Sequence, residues 1–176
     1  KCRAINNRAL VYNDLGDFEL AIKEYSIIID DYSEELESDD LALTYRNRGL
    51  SYEDLEQYEL ALSGYNKAAE LDPEEVDIYD NRADLYALLE ENSKAFLDYS
   101  KCIELYPNSA YYLNNRGDFH RHNEEYDNAL ADYASVLELP DVSFYNKCRA
   151  LNNRANVYLD KSDSELAIKE YSIIID

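Results

Sequence analysis

The stretch Tyr45–Pro73, YRNRGLSYEDLEQYELALSGYNKAAELDP, decides the fold. Apolar and small residues recur within it at spacings of three and four residues, which places them on one face of a helix. Residues 55–57 form a short polar break, and Pro73 ends the pattern. Gly49 and Ala61 would face each other in an antiparallel pair, so that two helix backbones can approach closely. The stretch therefore predicts one helical hairpin.

The same design occurs five times along the chain, and three copies follow a period of 34 residues. Each first helix carries Asn-Arg before a small residue: Asn7-Arg8-Ala9, Asn47-Arg48-Gly49, Asn81-Arg82-Ala83, Asn115-Arg116-Gly117 and Asn153-Arg154-Ala155. Each second helix carries an alanine followed four residues later by a tyrosine: Ala21 and Tyr25, Ala61 and Tyr65, Ala95 and Tyr99, Ala129 and Tyr133, and Ala167 and Tyr171. The sequence therefore predicts an array of five hairpins.

This pattern resembles the tetratricopeptide repeat family over essentially the whole chain. We place the repeats near residues 2–35, 42–75, 76–109, 110–143 and 148–176 of a single array. The resemblance implies an all-α fold, a right-handed α-α superhelix (a solenoid) of about five helix-turn-helix repeats. The chain departs from the family pattern at the usual early tryptophan, at the arginine before the small residue, and at His120, where a tyrosine is expected.

A longer repeat is also present, because residues 1–30 match residues 147–176 at 24 of 30 positions. Four hairpins therefore make a larger repeat of 146 residues, which includes two insertions. We expect the first insertion, residues 34–40, to extend the second helix of its hairpin, and the second, after Pro140, to lengthen the next first helix. We also expect the chain to be a segment of a longer protein that continues the array.

The composition is that of a folded acidic protein. Lys and Arg total 17 and Asp and Glu total 38, which gives a formal charge of −21, and 46% of the residues are hydrophobic. This charge disfavours nucleic acid and anionic lipid surfaces and favours basic partners, although it is equally what solubility alone would require. We find no apolar run of membrane-spanning length, so we expect no membrane insertion and favour the cytoplasm.

The sequence suggests no catalytic residues, metal site or cofactor, and we expect no enzyme. The three cysteines, Cys2, Cys102 and Cys148, form no CxxC pair. His120 and His122 are two residues apart on a predicted helix and therefore point in different directions. Only four glycines are present, and none builds a phosphate-binding loop.

The arginine before each small residue lies beside the predicted helix crossing. The second helices offer a carboxylate one residue before their tyrosine, at Glu24, Asp98, Asp132 and Glu170. We expect arginine–carboxylate pairs there, since an unpaired buried guanidinium would be costly. The second repeat has Gly64 at this position, so Arg48 needs a different partner.

The resemblance implies that the first helices line a concave groove that holds an extended peptide or a partner helix. One asparagine recurs on this face in every repeat: Asn7, Asn47, Asn81, Asn115 and Asn153. An amide both donates and accepts hydrogen bonds, so a ladder of amides can pair with a peptide backbone. The alternative, that these asparagines tolerate a hydrated helix face or bond a neighbouring helix, stays open.

Charged residues surround this ladder. Asp77, Asp80 and Asp84 fall on one face of the third repeat, and Asp118 follows in the fourth. Their mutual repulsion would be relieved by Lys or Arg of a ligand, which predicts a preference for a basic segment. Arg46 offers a cation to an acidic group, as do Arg3 and Arg149. A solvated acidic face is the alternative.

These features favour a protein-interaction scaffold that binds an extended, basic peptide or a partner helix. A structural array segment that self-associates end to end is the first alternative, because the last helix carries apolar residues without a polar cap: Ile168, Tyr171, Ile174 and Ile175. A homo-oligomer would then form through this helix. A non-catalytic adaptor region of a larger enzyme or secretion machine is the second alternative.

Overall fold

The computed structural model describes residues 1–175, which form ten α-helices and one short 3-10 helix and contain no strand. The predicted all-α class is confirmed. In chain order, the helices are grouped into repeats 1 to 5: α1 (Cys2–Leu15) and α2 (Phe18–Tyr32), α3 (Ser38–Asp54) and α4 (Tyr58–Leu71), α5 (Val76–Leu88) and α6 (Asn92–Leu105), α7 (Ala110–His122) and α8 (Tyr126–Glu138), and α9 (Phe144–Asp160) and α10 (Ser164–Ile175).

The chain divides into two compact units, and the boundary between Ala95 and Phe96 falls within α6. In the first unit, α1 packs against α2, α2 against α3, α3 against α4 and α4 against α5. In the second unit, α7 packs against α8, α8 against α9 and α9 against α10. Within each unit, a helix therefore packs mainly against its neighbours in sequence, as in other repeat arrays.

The turn inside each hairpin contains one residue with a positive φ: Gly16 (79°), Glu56 (58°), Glu90 (59°), Glu124 (60°) and Ser162 (62°). The amide of the following residue donates to the carbonyl five residues earlier, as from Gln57 to Tyr52 at 2.8 Å. This bond satisfies a carbonyl that the end of the first helix would otherwise leave unpaired. The polar break predicted at residues 55–57 is therefore a left-handed helix cap.

The two helices of repeat 2 approach closely at small residues. A Cβ added to Gly49 would lie 2.8 Å from Tyr65 Cε1 and 3.3 Å from the carbonyl oxygen of Ala61, which confirms that Ala61 faces Gly49. Gly64 adds a contact that we did not anticipate, because its added Cβ would lie 3.4 Å from Gly49 Cα. Two glycines in contact leave no room for the carboxylate that the other repeats carry at this place.

Predicted arginine–carboxylate pairs are present in repeats 1, 4 and 5. Arg8 Nη2 donates to Glu24 at 2.6 Å, and Arg154 Nη2 donates to Glu170 at 2.5 Å. Arg116 makes a bidentate pair with Asp132, at 2.7 and 2.8 Å. These pairs fix the crossing of the two helices within a hairpin.

Arg48, whose repeat has Gly64 in place of the carboxylate, has its hydrogen-bond partner in the preceding repeat. Its Nη1 donates to Ser26 Oγ at 3.0 Å, and its guanidinium lies over the rings of Tyr45 and Tyr52. Other repeats use the same place, directly after the second-helix tyrosine: Arg82 donates to Asn66 at 2.8 Å, and Arg116 donates to Ser100 at 3.4 Å. The recurring polar residue after that tyrosine was the signal that our sequence analysis missed.

The two insertions change the first helices that follow them. The first insertion forms a 3-10 helix, Ser33–Glu35, and then lengthens α3, whereas we expected it to extend the second helix of repeat 1. The second insertion lengthens α9, as predicted. Both α3 and α9 have 17 residues and begin four residues before the predicted starts of their repeats.

Candidate functional site

The recurring asparagine of the first helices occupies different environments. Asn7 is exposed, Asn47 is buried, and Asn81, Asn115 and Asn153 are partly exposed. Arg46 Nη2 donates to Asn47 Oδ1 at 3.4 Å, and Arg149 Nη2 donates to Asn115 Oδ1 at 2.9 Å. Several of these amides are therefore hydrogen-bonded within the chain, which is the use that our alternative interpretation described.

Asp118 is the centre of a hydrogen-bonded network in the second unit. Its two carboxylate oxygens accept from Arg149 Nη2 at 2.6 Å, from Asn153 Nδ2 at 2.5 Å and from the Tyr133 hydroxyl at 2.6 Å. Burial and the hydrogen bond to Asp118 raise the pKa of Tyr133 well above its ordinary value. The network joins α7, α8 and α9 and neutralises Asp118 with a cation of the same chain.

One acidic residue of repeat 3, Asp77, pairs with an arginine of repeat 2. Arg46 Nη1 donates to Asp77 Oδ2 at 2.8 Å and lies 4.0 Å from Glu75 Oε1. Asp80 is buried, whereas Asp77 and Asp84 are exposed. Two residues that we predicted to contact opposite charges of a ligand, Arg46 and Asp77, therefore pair with each other.

A cavity of about 390 Å³ lies between α1, α2 and α3 in the first unit. We call it the repeat-1 cavity, and its lining residues are Cys2, Arg3, Asn6, Asn7, Ile28, Leu36, Asp40, Leu43 and Thr44. The first insertion builds one side of it, since Leu36 follows the 3-10 helix and Asp40 lies in the first turn of the lengthened α3. Of the residues predicted to contact a ligand, the cavity contains Arg3 and Asn7.

The repeat-1 cavity combines apolar and polar groups. Ile28, Leu36 and Leu43 supply apolar surface, and Asn6 and Asn7 supply amides. The Asn6 side-chain oxygen is buried and accepts no hydrogen bond within the chain. A buried acceptor without a partner is unfavourable, so a donor from a bound molecule would stabilise it. Asn6 was not singled out from the sequence, because asparagine is not invariant at this position: Asn114 and Asn152 share it, whereas Arg46 and Asp80 replace it.

The two histidines have separate partners, as their spacing predicted. His120 is buried against Phe96 and Phe119, and its Nδ1 lies 2.6 Å from Glu125 Oε2. Hydrogen bonds from Asn128 and from His120 hold the pKa of Glu125 below its ordinary value. His122 Nδ1 lies 2.7 Å from the carbonyl oxygen of Asp118. The buried imidazole thus ties the turn of repeat 4 to its first helix.

Within residues 1–175, no group of three or more His, Cys, Asp or Glu side chains could hold a metal ion. None of the helices formed by these residues is both long and apolar enough to cross a membrane.

Solved structures of several proteins share this fold. MamA of Desulfovibrio magneticus RS-1 is 12% identical, with a TM-score of 0.76 over 99% of this chain and 93% of that chain. BtubC of P. vanneervenii is 18% identical, with a TM-score of 0.82 over 97% of this chain and 76% of that chain. YrrB, described as a tetratricopeptide repeat protein with an unusual peptide-binding site, is 21% identical, with a TM-score of 0.70 over 100% of this chain and 86% of that chain.

Sequence comparison identifies the family. No curated protein matches the sequence significantly. Three models described as tetratricopeptide repeat match residues 1–74, 76–109 and 99–131. Proteins of this family are generally non-catalytic scaffolds that bind proteins or peptides. With five hairpins built on the recurring motif, this chain belongs to the tetratricopeptide repeat family.

Proposed function

We propose that this protein is a non-catalytic scaffold that binds an extended peptide along its first helices and anchors it in the repeat-1 cavity. The observation that carries the proposal is the unpartnered Asn6 oxygen in a cavity of about 390 Å³. A peptide backbone N–H is the donor that this oxygen lacks. The exposed Asn7 amide, one residue away, extends the same hydrogen-bonding surface.

The lining of the cavity indicates the kind of side chain that it would accept. Ile28, Leu36 and Leu43 favour an apolar side chain of the ligand. Arg3 and Asp40 give the cavity one cationic and one anionic wall, which would set the direction of the peptide. The formal charge of −21 favours basic residues elsewhere in the ligand.

Pairing within the chain changes where a basic residue would act. Asp77 and Asp118 already contact Arg46 and Arg149. Binding of a ligand cation at either carboxylate would have to compete with that arginine. We therefore expect basic residues to increase the rate of association through the overall field, rather than to form one deeply buried pair.

The test is binding of a library of extended peptides, varied in charge and in one apolar side chain, at low and moderate salt. Asn6→Ala should weaken binding by about fivefold to tenfold, the value of one hydrogen bond. Leu43→Asp should weaken it further for peptides with an apolar anchor. Asn152→Ala is the matched control, because Asn152 occupies the same place in repeat 5 and is not part of the cavity.

The outcomes separate the parts of the proposal. If Asn6→Ala and Asn152→Ala weaken peptide binding to the same extent, anchoring of the peptide in the repeat-1 cavity is contradicted. An Asn81→Ala, Asn115→Ala double variant tests the asparagine ladder separately. Absence of binding by every peptide would remove the peptide proposal as a whole.

Self-association is the second candidate function, and the exposed surface of α10 favours it. Ile168 and Ile175 are 65% and 83% exposed. Ile174 is partly exposed, whereas Ile28, its counterpart in the nearly identical helix α2, is only 1% exposed. An apolar helix face of this kind commonly marks an interaction surface.

Sedimentation across a range of protein concentrations tests this second function. We expect the protein to form oligomers and Ile174→Glu to abolish them. Leu60→Glu, which places a charge on the exposed surface of α4, is the control and should leave the oligomers intact. A monomer at all concentrations would contradict self-association.

A further inference from the structure

Two nearly identical segments of this protein, at the start and at the end of the chain, lie in different environments. Residues 1–30 and 147–176 are identical at 24 of 30 positions, so α1 and α9 carry nearly the same face. Val157 in α9 is fully buried, whereas its counterpart Val11 in α1 is 54% exposed. Ala150 is fully buried too, and its counterpart Ala4 is exposed. The structure therefore shows what covers this face in one copy and leaves it accessible in the other.

In repeat 5, this face packs against repeat 4 through three polar residues. Arg149 Nη2 donates to Asp118 at 2.6 Å and to Asn115 at 2.9 Å. Asn153 Nδ2 donates to the same Asp118 at 2.5 Å. At the other end of α9, Asp160 accepts from Arg121 Nε at 2.6 Å. Opposite charges thus meet at both ends of the interface, with Val157 buried between them.

Repeat 1 keeps all of these residues at the same spacing. Arg3, Asn7 and Asp14 correspond to Arg149, Asn153 and Asp160, and all three are exposed. The one ion pair of the interface that would be lost involves Lys161, which corresponds to Leu15. That pair lies at the surface with Asp127 92% exposed, so its contribution is small.

The surface that repeat 4 offers is specific among the repeats. Its first helix carries Asn115, Asp118 and Arg121 at positions i, i+3 and i+6. At the same positions the other repeats have Asn7, Leu10 and Asn13; Asn47, Leu50 and Glu53; Asn81, Asp84 and Ala87; and Asn153, Asn156 and Leu159. Among the five repeats, only repeat 4 has both an aspartate at i+3 and an arginine at i+6. In the structure these residues, Asp118 and Arg121, pair with Arg149 and Asp160 of α9.

We propose that the exposed α1 face, formed by Arg3, Asn7, Val11 and Asp14, is a docking surface for a helical hairpin of the repeat-4 type. The first helix of that partner hairpin carries Asn, Asp and Arg at i, i+3 and i+6. Its Asp accepts from Arg3 and Asn7, its Arg donates to Asp14, and its apolar surface covers Val11. Because Arg3 and Asn7 also line the repeat-1 cavity, this hairpin and the proposed peptide would compete for these two side chains. Charge complementarity at both ends then fixes the register of the two helices.

The test uses the full chain with a second copy of residues 108–146 placed ahead of Lys1. The natural connection is kept, because residue 147 is also a lysine. Hydrogen exchange of the α1 amides is measured with and without the added hairpin. We expect exchange in α1 to slow by about tenfold or more and to approach the rates of α9.

Two variants test whether docking depends on the charged residues of the interface. Asp118→Leu with Arg121→Glu, made only in the added hairpin, gives it the residues of repeat 2 and should restore fast exchange in α1. Arg3→Ala should also restore fast exchange in α1. Because this variant leaves the sequence of the added hairpin unchanged, the result could not be explained by a hairpin that fails to fold.

Two results would overturn the proposal. One is that the added hairpin does not slow exchange in α1, or that it slows exchange to the same extent whether or not it carries the Asp118→Leu and Arg121→Glu substitutions. The other is a native, unmodified chain whose α1 becomes protected as its concentration rises and oligomers form. Repeat 4 of each native molecule is already covered by its own α9, so the occupant of the α1 face would then be a different surface of a second copy.

Discussion

Glu56, Glu90 and Glu124 adopt the positive φ that Gly16 adopts in repeat 1. A side chain at such a φ costs about 1–3 kcal/mol, whereas glycine loses about 0.5–1 kcal/mol of chain entropy on folding. We predict that Glu56→Gly raises the free energy of unfolding in urea by about 0.5–1 kcal/mol. Glu56→Gln is the control that removes the charge alone and should have little effect.

Gly16→Ala tests the same reasoning in the opposite direction. An added Cβ there meets no atom within 4 Å, so any loss of stability would come from the backbone conformation alone. We expect a loss of about 1 kcal/mol. An unchanged free energy of unfolding for both Glu56→Gly and Gly16→Ala would show that these turns carry no strain.

Gly117 is constrained by packing rather than by its backbone angles. A Cβ at Gly117 would lie 2.5 Å from Tyr133 Cε1 and 2.9 Å from Cδ1, so the ring or the helix has to move. We predict that Gly117→Ala lowers the free energy of unfolding by about 1–3 kcal/mol. The reverse change, Ala155→Gly in repeat 5, should cost only about 0.5–1 kcal/mol, the difference in helix propensity. Equal effects of the two changes would contradict the steric explanation.

At the level of the helix pair, the arginine beside the crossing has two kinds of partner. Arg116→Ala leaves the carboxylate of Asp132, only 7% exposed, without its bidentate partner, and we predict a loss of about 2–3 kcal/mol. Arg48→Ala removes one hydrogen bond to a hydroxyl and two ring contacts, and should cost about 1 kcal/mol. The measurement is urea unfolding of both variants.

A double-mutant cycle checks the cause of that difference. Asp132→Ala added to Arg116→Ala should cost less than the sum of the single changes, because the two residues act as one pair. Additive effects would show that Arg116 stabilises the hairpin through packing of its alkyl chain instead.

Sequence reasoning predicted the hairpins because their periodicity depends on contacts within one repeat. The facing of Gly49 and Ala61 and the pair of Arg116 and Asp132 follow from helix geometry alone. The Asp118 network did not follow, since Arg149 is 31 residues away and reaches it only through the packing of two successive repeats. The Asn6 oxygen was missed for the same reason, because the cavity around it depends on the inserted residues near Leu36.

For the molecule as a whole, buried tyrosines that recur among the repeats determine its response to alkaline pH. Burial raises the pKa of Tyr25 to about 12, and burial with a hydrogen bond to Glu53 or Asp118 raises the pKa values of Tyr65 and Tyr133 further. The folded state then keeps protons that the unfolded chain releases above pH 10. This contribution to stability is therefore complete below pH 10 and is lost as the pH rises.

We predict that the urea midpoint falls steadily as the pH is raised from about 10 to 11.5, the range in which unfolded tyrosine ionises. A Tyr65→Phe, Tyr133→Phe variant should be less stable at pH 8, where it lacks two hydrogen bonds, yet should lose less stability over the alkaline range. An unchanged slope in the variant would assign the alkaline loss to other groups.

The near-identity of residues 1–30 and 147–176 also affects how the chain reaches its native state. Repeat 5 follows α8 after a connection of only a few residues, so it docks at an effective concentration in the millimolar range. Repeat 1 of another molecule carries the same Arg and Asn donors and can compete for the α7–α8 hairpin only at high protein concentration. Refolding from dilute solution should therefore give one product, whereas refolding from concentrated solution should give exchanged molecules that separate slowly.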